Sequence, residues 1–124
     1  MIPQIAIQLI FEGNYDDALD LIVPAGYFGG TFEKVGNGLQ YKSVYVEEYY
    51  LEELLEKFLV YYEKMIRPLY GLLVKADGIC LCCCVYAADT IPSINLSKDL
   101  MRAILNLHEN VSLDIDIVLT ESDG

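Results

Sequence analysis

Four cysteines, Cys80, Cys82, Cys83 and Cys84, stand within one short run and are the side chains of this sequence most open to chemistry. Structural zinc takes four ligands, as a rule from two separated pairs, and thiol redox chemistry uses a Cys-x-x-Cys at a helix start; C-x-C-C-C in an apolar stretch offers neither. On a strand, Cys80, Cys82 and Cys84 face one way and Cys83 the other, so at most three thiols meet one ion. Small buried apolar side chains are the simpler account of the run. The single histidine, His108, falls at the end of an expected helix, where it complements the negative end of the dipole. A Cys-His nucleophile would need a thiol in a polar, electropositive setting, and nothing near the cysteines supplies one. Asp114 and Asp116 project from one face of an expected strand, with Cα atoms roughly 6.5 to 7 Å apart. Such a pair binds a hard cation or divides acid and base roles, but it equally forms a solvated strand face or a charged guard on a sheet edge, which is the reading favoured here.

The loop 25–40 holds Gly26, Gly29, Gly30, Gly36 and Gly38. A phosphate cradle needs glycines that converge backbone amides on a helix N-terminus, with a Lys and a Ser or Thr at fixed spacing; GYFGGTFEKVGNG has neither GxxxxGK[ST] nor a helix behind it. It reads as an irregular connection in which Tyr27, Phe28 and Phe32 are candidates for a contact surface. The tyrosines say more. Ten are present with no Trp, and Tyr41, Tyr45 and Tyr49 alternate on one expected strand face beside Glu47, with Glu48, Glu52, Glu53 and Glu56 next in sequence. Tyrosine buries a large amphipathic surface at small rotamer cost, and neighbouring acids complement a basic partner. These eight residues form the expected partner-binding surface. The plain alternative is a tyrosine face packed beneath a helix.

The elements that must position these groups follow from periodicity. Residues 4–12 alternate as a strand, and a short acidic helix follows from Tyr15 and stops before Pro24. Residues 41–49 alternate again. From Leu51 the period becomes helical, with Leu51, Leu54, Leu55, Phe58, Leu59 and Tyr62 on one stripe until Arg67-Pro68 interrupts it. Residues 78–88 are apolar on both faces, the mark of a central strand. Pro92 opens the last unit: Ser97 stands at an N-cap position, Leu96 and Met101 form a hydrophobic staple, and Leu100, Ala103, Ile104 and Leu107 make a buried stripe. The last strand alternates Leu113, Ile115, Ile117 and Leu119 against the two aspartates.

With 124 residues the chain has room for one domain, expected over 1–120 with a disordered end at 121–124. The expected fold is α+β, a mainly antiparallel sheet of about four strands with two main helices packed on it. The net charge of -11 disfavours nucleic acid and anionic membranes, whose recognition needs clustered Lys and Arg, and it steers in a basic protein partner. No run is long enough to span a bilayer, and clustered cysteines are not a secreted disulfide framework, so a cytoplasmic setting is expected. No cofactor and no metal are expected, and monomer and homodimer both fit.

The order of elements, with the text PSINLSKDLMRAILNLHENVSLDIDIVL, resembles the end of the bacterial family called domain of unknown function 4279. The middle helix LEELLEKFL and the LDIDI ending share its pattern, although Val118 stands where that pattern has an aromatic. The resemblance implies a fold and carries no catalytic residue. By analogy of size and charge, the expected function is a non-enzymatic immunity or inhibitor protein that neutralises a basic toxin or nuclease effector. The alternatives are a small-molecule-binding or hydrolytic domain, with a site in the glycine loop or beside Asp114 and Asp116, and a structural subunit whose acidity serves solubility.

Overall fold

The computed structural model describes residues 2–13, 30–35, 38–68 and 76–120. The expected helix from Tyr15, Tyr27, Phe28 and the chain end 121–124 lie outside the described residues.

The strict alternation of the first apolar run becomes β1, Gln4–Glu12, with Ile5, Ile7, Leu9 and Phe11 buried on one face. The sheet grows outward from β1. On one side lie β3, Gly38–Ser43, and then β2, Gly30–Val35; on the other lie β5, Gly78–Ala87, and β6, Val111–Leu119, while β4, Val46–Glu47, pairs with the start of β1. Among the described residues six strands replace the expected four. One addition is β2, since half of the glycine-rich stretch belongs to the β2/β3 hairpin and not to an irregular connection; the other comes from the division of the expected strand 41–49 into β3 and β4. Gly30 is there because β2 approaches β3 too closely for a side chain: a Cβ would stand 2.5 Å from the Lys42 carbonyl oxygen and 2.8 Å from the Tyr41 ring. Every pairing is antiparallel except β5 with β6, so the sheet is mixed and mainly antiparallel.

Among the described residues two α-helices lie on one face of this sheet. Helix α1, Leu51–Tyr61, buries Leu51, Leu54, Leu55, Phe58 and Leu59, and continues into a π-helical turn, Tyr62–Ile66, where Glu63 clamps Arg67 at 2.8 and 2.9 Å. Helix α2, Lys98–Leu105, makes the crossover between the parallel strands β5 and β6. Its cap is as the sequence predicts, with Ser97 Oγ accepting the Leu100 N–H at 3.1 Å, while Leu100, Ile104 and Leu107 are buried. Between sheet and helices runs an aromatic chain. Phe32 and Tyr41 lie 5.0 Å apart, Tyr41 and Phe58 6.0 Å, and Phe58 and Tyr61 6.4 Å.

One local irregularity decides which tyrosines reach the surface. β1 pairs Gln8 with Lys42 but Ile5 with Val46, so the chain gains one residue between β3 and β4. Ser43 makes this possible: its buried hydroxyl accepts the Ile7 N–H at 2.9 Å and donates to the Val44 carbonyl at 3.1 Å, standing in for a ladder bond while Val44 swings outward. Because strand side chains alternate with period two, a one-residue insertion reverses every face beyond it. Tyr41 and Ser43 point to the helices, Tyr45 and Glu47 away from them. The single continuous strand 41–49 with one tyrosine face is therefore corrected to two strands facing opposite ways.

Candidate functional site

Of the residues expected to form the contact surface, Tyr41 is the correction. It is fully buried between Phe32 and Phe58, and burial, reinforced by the adjacent Tyr61, holds its hydroxyl far above the ordinary phenol range. Phe32 is likewise core. The rest of the segment is accessible. Tyr45 sits on the open sheet face 5.4 Å from Tyr86, with the Lys42 ammonium 5.3 Å from its ring, and burial followed by Tyr86 and Cys84 pushes its hydroxyl up to about 12. Tyr49 is 45% exposed and Tyr50, at the N-cap of α1, 49%. Glu47, Glu53 and Glu56 are exposed.

Two of the acids are partly occupied in holding the segment in shape. Glu48 accepts the Tyr50 N–H at 3.1 Å, closing the turn into α1. Glu52 accepts the Ser93 hydroxyl at 3.2 Å and the Asn95 N–H at 3.3 Å. Ser93 also accepts the Leu51 N–H and donates to the Tyr49 carbonyl, so the segment before α2 is tied to the start of α1 and its first amide is satisfied. Tyr49 and Tyr50 therefore stand on a braced turn, which lowers the ordering cost of presenting them to a partner. On the far side of α1, Glu56 forms one lip of a groove of about 480 Å³ whose apolar wall includes Leu59, Val60 and Leu100.

Tyr50 and Tyr86 belong to this accessible set, outside the face that alternation over 41–49 marks. Tyr86, 43% exposed, shares its phase on β5 with Cys80, Cys82 and Cys84, a signal available in the alternation of that strand. Tyr50 carried no such signal, because its place depends on the bracing of α1.

The cysteine run lies as expected, Cys83 buried toward the helices and the other three on the open face. Cys82 is flanked by Gln8 on β1 and Asp114 on β6, and Cys84 by Ala6 and Asp116. Cys84 Sγ donates to Gln8 Oε1 at 3.7 Å. Burial first, then Cys84 and Asp114, push the Cys82 thiol up to about 12, and burial with the neighbouring thiols does the same for Cys83. A nucleophilic or metal-binding thiol needs the opposite influence, since the reactive form is the thiolate. Among the described residues no group of three or more His, Cys, Asp and Glu side chains is placed to hold a metal ion.

His108 is engaged in the scaffold. Its Nδ1 accepts the Asn110 N–H at 2.9 Å, so Nε2 carries the proton and donates to the Ala76 carbonyl at 3.0 Å. Asn110 in turn donates to the Asp77 carbonyl, and the trio locks the entry to β5 against the entry to β6. Asp114 and Asp116 are exposed on the open face of β6, the outermost strand of that side of the sheet. Among the described residues no helix is long and apolar enough to cross a membrane. No family model, curated protein or solved structure matches this chain.

Proposed function

We propose that this chain is a non-enzymatic interaction protein of the immunity or inhibitor kind, which works in the cytoplasm and binds a basic protein partner such as a toxin or nuclease effector. The observation that carries the reading is the braced turn at Tyr49 and Tyr50, exposed next in sequence to Glu47, Glu48, Glu52 and Glu53, with Glu56 one turn further along α1, in a chain of net charge -11. Aromatic side chains on a backbone that is already fixed supply contact area at reduced entropic cost, and the surrounding acids raise the encounter rate with a cationic surface. Tyr45 and Tyr86, 5.4 Å apart, add a second aromatic pair on the open sheet face.

The test is calorimetric titration with the purified product of the neighbouring gene, at about 50 and about 300 mM salt, over which the Debye length falls roughly from 14 to 6 Å. Affinity should fall with salt. Tyr49→Ala with Tyr50→Ala should weaken it at least about tenfold at unchanged fold, the loss typical of central aromatic contacts. If the neighbouring product binds no better than hen lysozyme, used as a basic control, the proposal is wrong.

A further inference from the structure

Among the described residues β6 carries a free edge. Along Val111–Leu119 it pairs with β5 on one side, and among the described residues no strand pairs with the other. Native edges are usually blunted by Pro, charged side chains, a bulge or short length; VSLDIDIVL has nine residues, no Pro and no Lys, and its only charges are Asp114 and Asp116. Its helix-side face borders a groove of about 200 Å³ lined by Leu96, Met101, Ile104, Leu105, Val111 and Leu113. Met101 and Leu105 are exposed along that groove, and beyond it Ile117 and Leu119 are open as well, Leu119 at 65%. On the opposite face Asp114 and Asp116 are exposed and make no hydrogen bond or ion pair among the described residues.

The edge thus presents three things in register: unpaired backbone groups, an apolar groove on one face, and two unneutralised carboxylates two residues apart on the other. We propose that it is a strand-addition site, which captures an extended segment of a partner in which apolar and basic residues alternate. This rests on the reading above that the partner is basic, and it specifies how part of that partner is held. An added strand places alternate side chains on opposite faces, so its apolar residues enter the groove while its Lys or Arg residues come within about 5.5 Å, Cβ to Cβ, of Asp114 and Asp116. A second copy of this chain fits the same edge badly. Antiparallel self-pairing centred on Asp114, Ile115 or Asp116 sets a carboxylate of one copy opposite a carboxylate of the other, or beside it, which is the usual guard against edge-to-edge association. The guard excludes the chain itself and favours a cationic strand.

The experiment uses dye-labelled heptapeptides and fluorescence anisotropy with the whole protein. One probe alternates Lys and Val, a second has the same composition with the valines in one block, and a third alternates Glu and Val. The alternating Lys probe should bind at least about tenfold tighter than either of the others. Two further versions of it carry N-methyl groups on alternate residues, in the two possible phases; one phase should abolish binding and the other leave it within about threefold, because only every second amide of an added strand faces its neighbour. Asp114→Asn with Asp116→Asn should weaken the Lys probe about tenfold while the circular dichroism spectrum is unchanged. Equal binding of the blocked and alternating probes, or of both N-methyl phases, overturns the proposal, as does indifference to the two Asn substitutions. Tyr49→Ala with Tyr50→Ala should not alter probe binding, which separates the two surfaces. Binding of the neighbouring product without any probe binding overturns strand addition alone, and probe binding without that product overturns the earlier reading alone.

Discussion

Alkylation of the cysteines tests the placement of β5 and the proton affinity of its thiols together. Folding pushes Cys82 and Cys83 from an ordinary value of 9.0 up to about 12, chiefly by burial. At about pH 8 an unperturbed thiol is roughly one-tenth thiolate, whereas one titrating near 12 is ionised in about one molecule in ten thousand. The thiolate is the attacking species, so native Cys82 and Cys83 should react with iodoacetamide about 10³ times more slowly than the same residues in urea. Peptide mapping by mass spectrometry reads each site separately. Asp114→Asn removes one of the lesser negative influences on Cys82 and should speed its labelling by less than about tenfold, since burial remains. The same shifts set a stability window. Both thiols hold their proton more tightly when folded, so their contribution is complete below about pH 9 and is lost as pH rises toward 12. Urea midpoints should therefore fall over that range, and Cys83→Ala should flatten the fall. Native Cys82 labelled at pH 8 as fast as in urea would refute the reasoning and reopen this face to nucleophilic chemistry.

Ser43→Ala leaves the buried Ile7 N–H without its acceptor and should cost about 1–3 kcal/mol in urea denaturation. Tyr41→Ala, by opening a cavity between Phe32 and Phe58, should cost about 3–5 kcal/mol, whereas Tyr49→Ala should stay within about 0.5 kcal/mol; the reverse order would mean that the faces do not switch at Val44. Ser97→Ala removes the cap of α2 and should cost about 1 kcal/mol, with faster amide exchange at Leu100. Gly30→Ala drives a Cβ into the Lys42 carbonyl and should cost about 1–3 kcal/mol, visible as a lowered melting temperature.

Elements whose periodicity is unbroken were legible in the sequence. β1, α1, β5, the capped α2 and β6 all lie where alternation, helical stripe or N-cap places them. The hairpin β2/β3 was not, because glycines announce a turn whatever their purpose, and at Gly30 the purpose is close approach of two strands. The candidate surface failed at one residue for a related reason. Tyr41 and Tyr45 are four apart and belong on one face of any uninterrupted strand, but a buried serine hydroxyl replaces one ladder bond and turns the second tyrosine outward. Nothing in local propensity marks Ser43 for that part. It acts only once β1 is beside it, so the exposure of Tyr45, Glu47 and Tyr49 depends on a pairing that forms between residues far apart in sequence.

The architecture also bears on binding against catalysis. All the helices among the described residues cover one face, and the groups open to chemistry, Cys80, Cys82, Cys84, Asp114 and Asp116, stand on the other. Side chains on a sheet face rise side by side, about 4.8 Å apart between strands and close to 7 Å apart along one. Catalysis needs donors, acceptors and a nucleophile converging on one atom from several directions, at about 3 Å. The described part of this face presents a side-by-side array, which matches a second extended or flat surface, residue against residue. The paired aspartates on this face suit a cationic strand arriving from outside, in line with the basic partner proposed above.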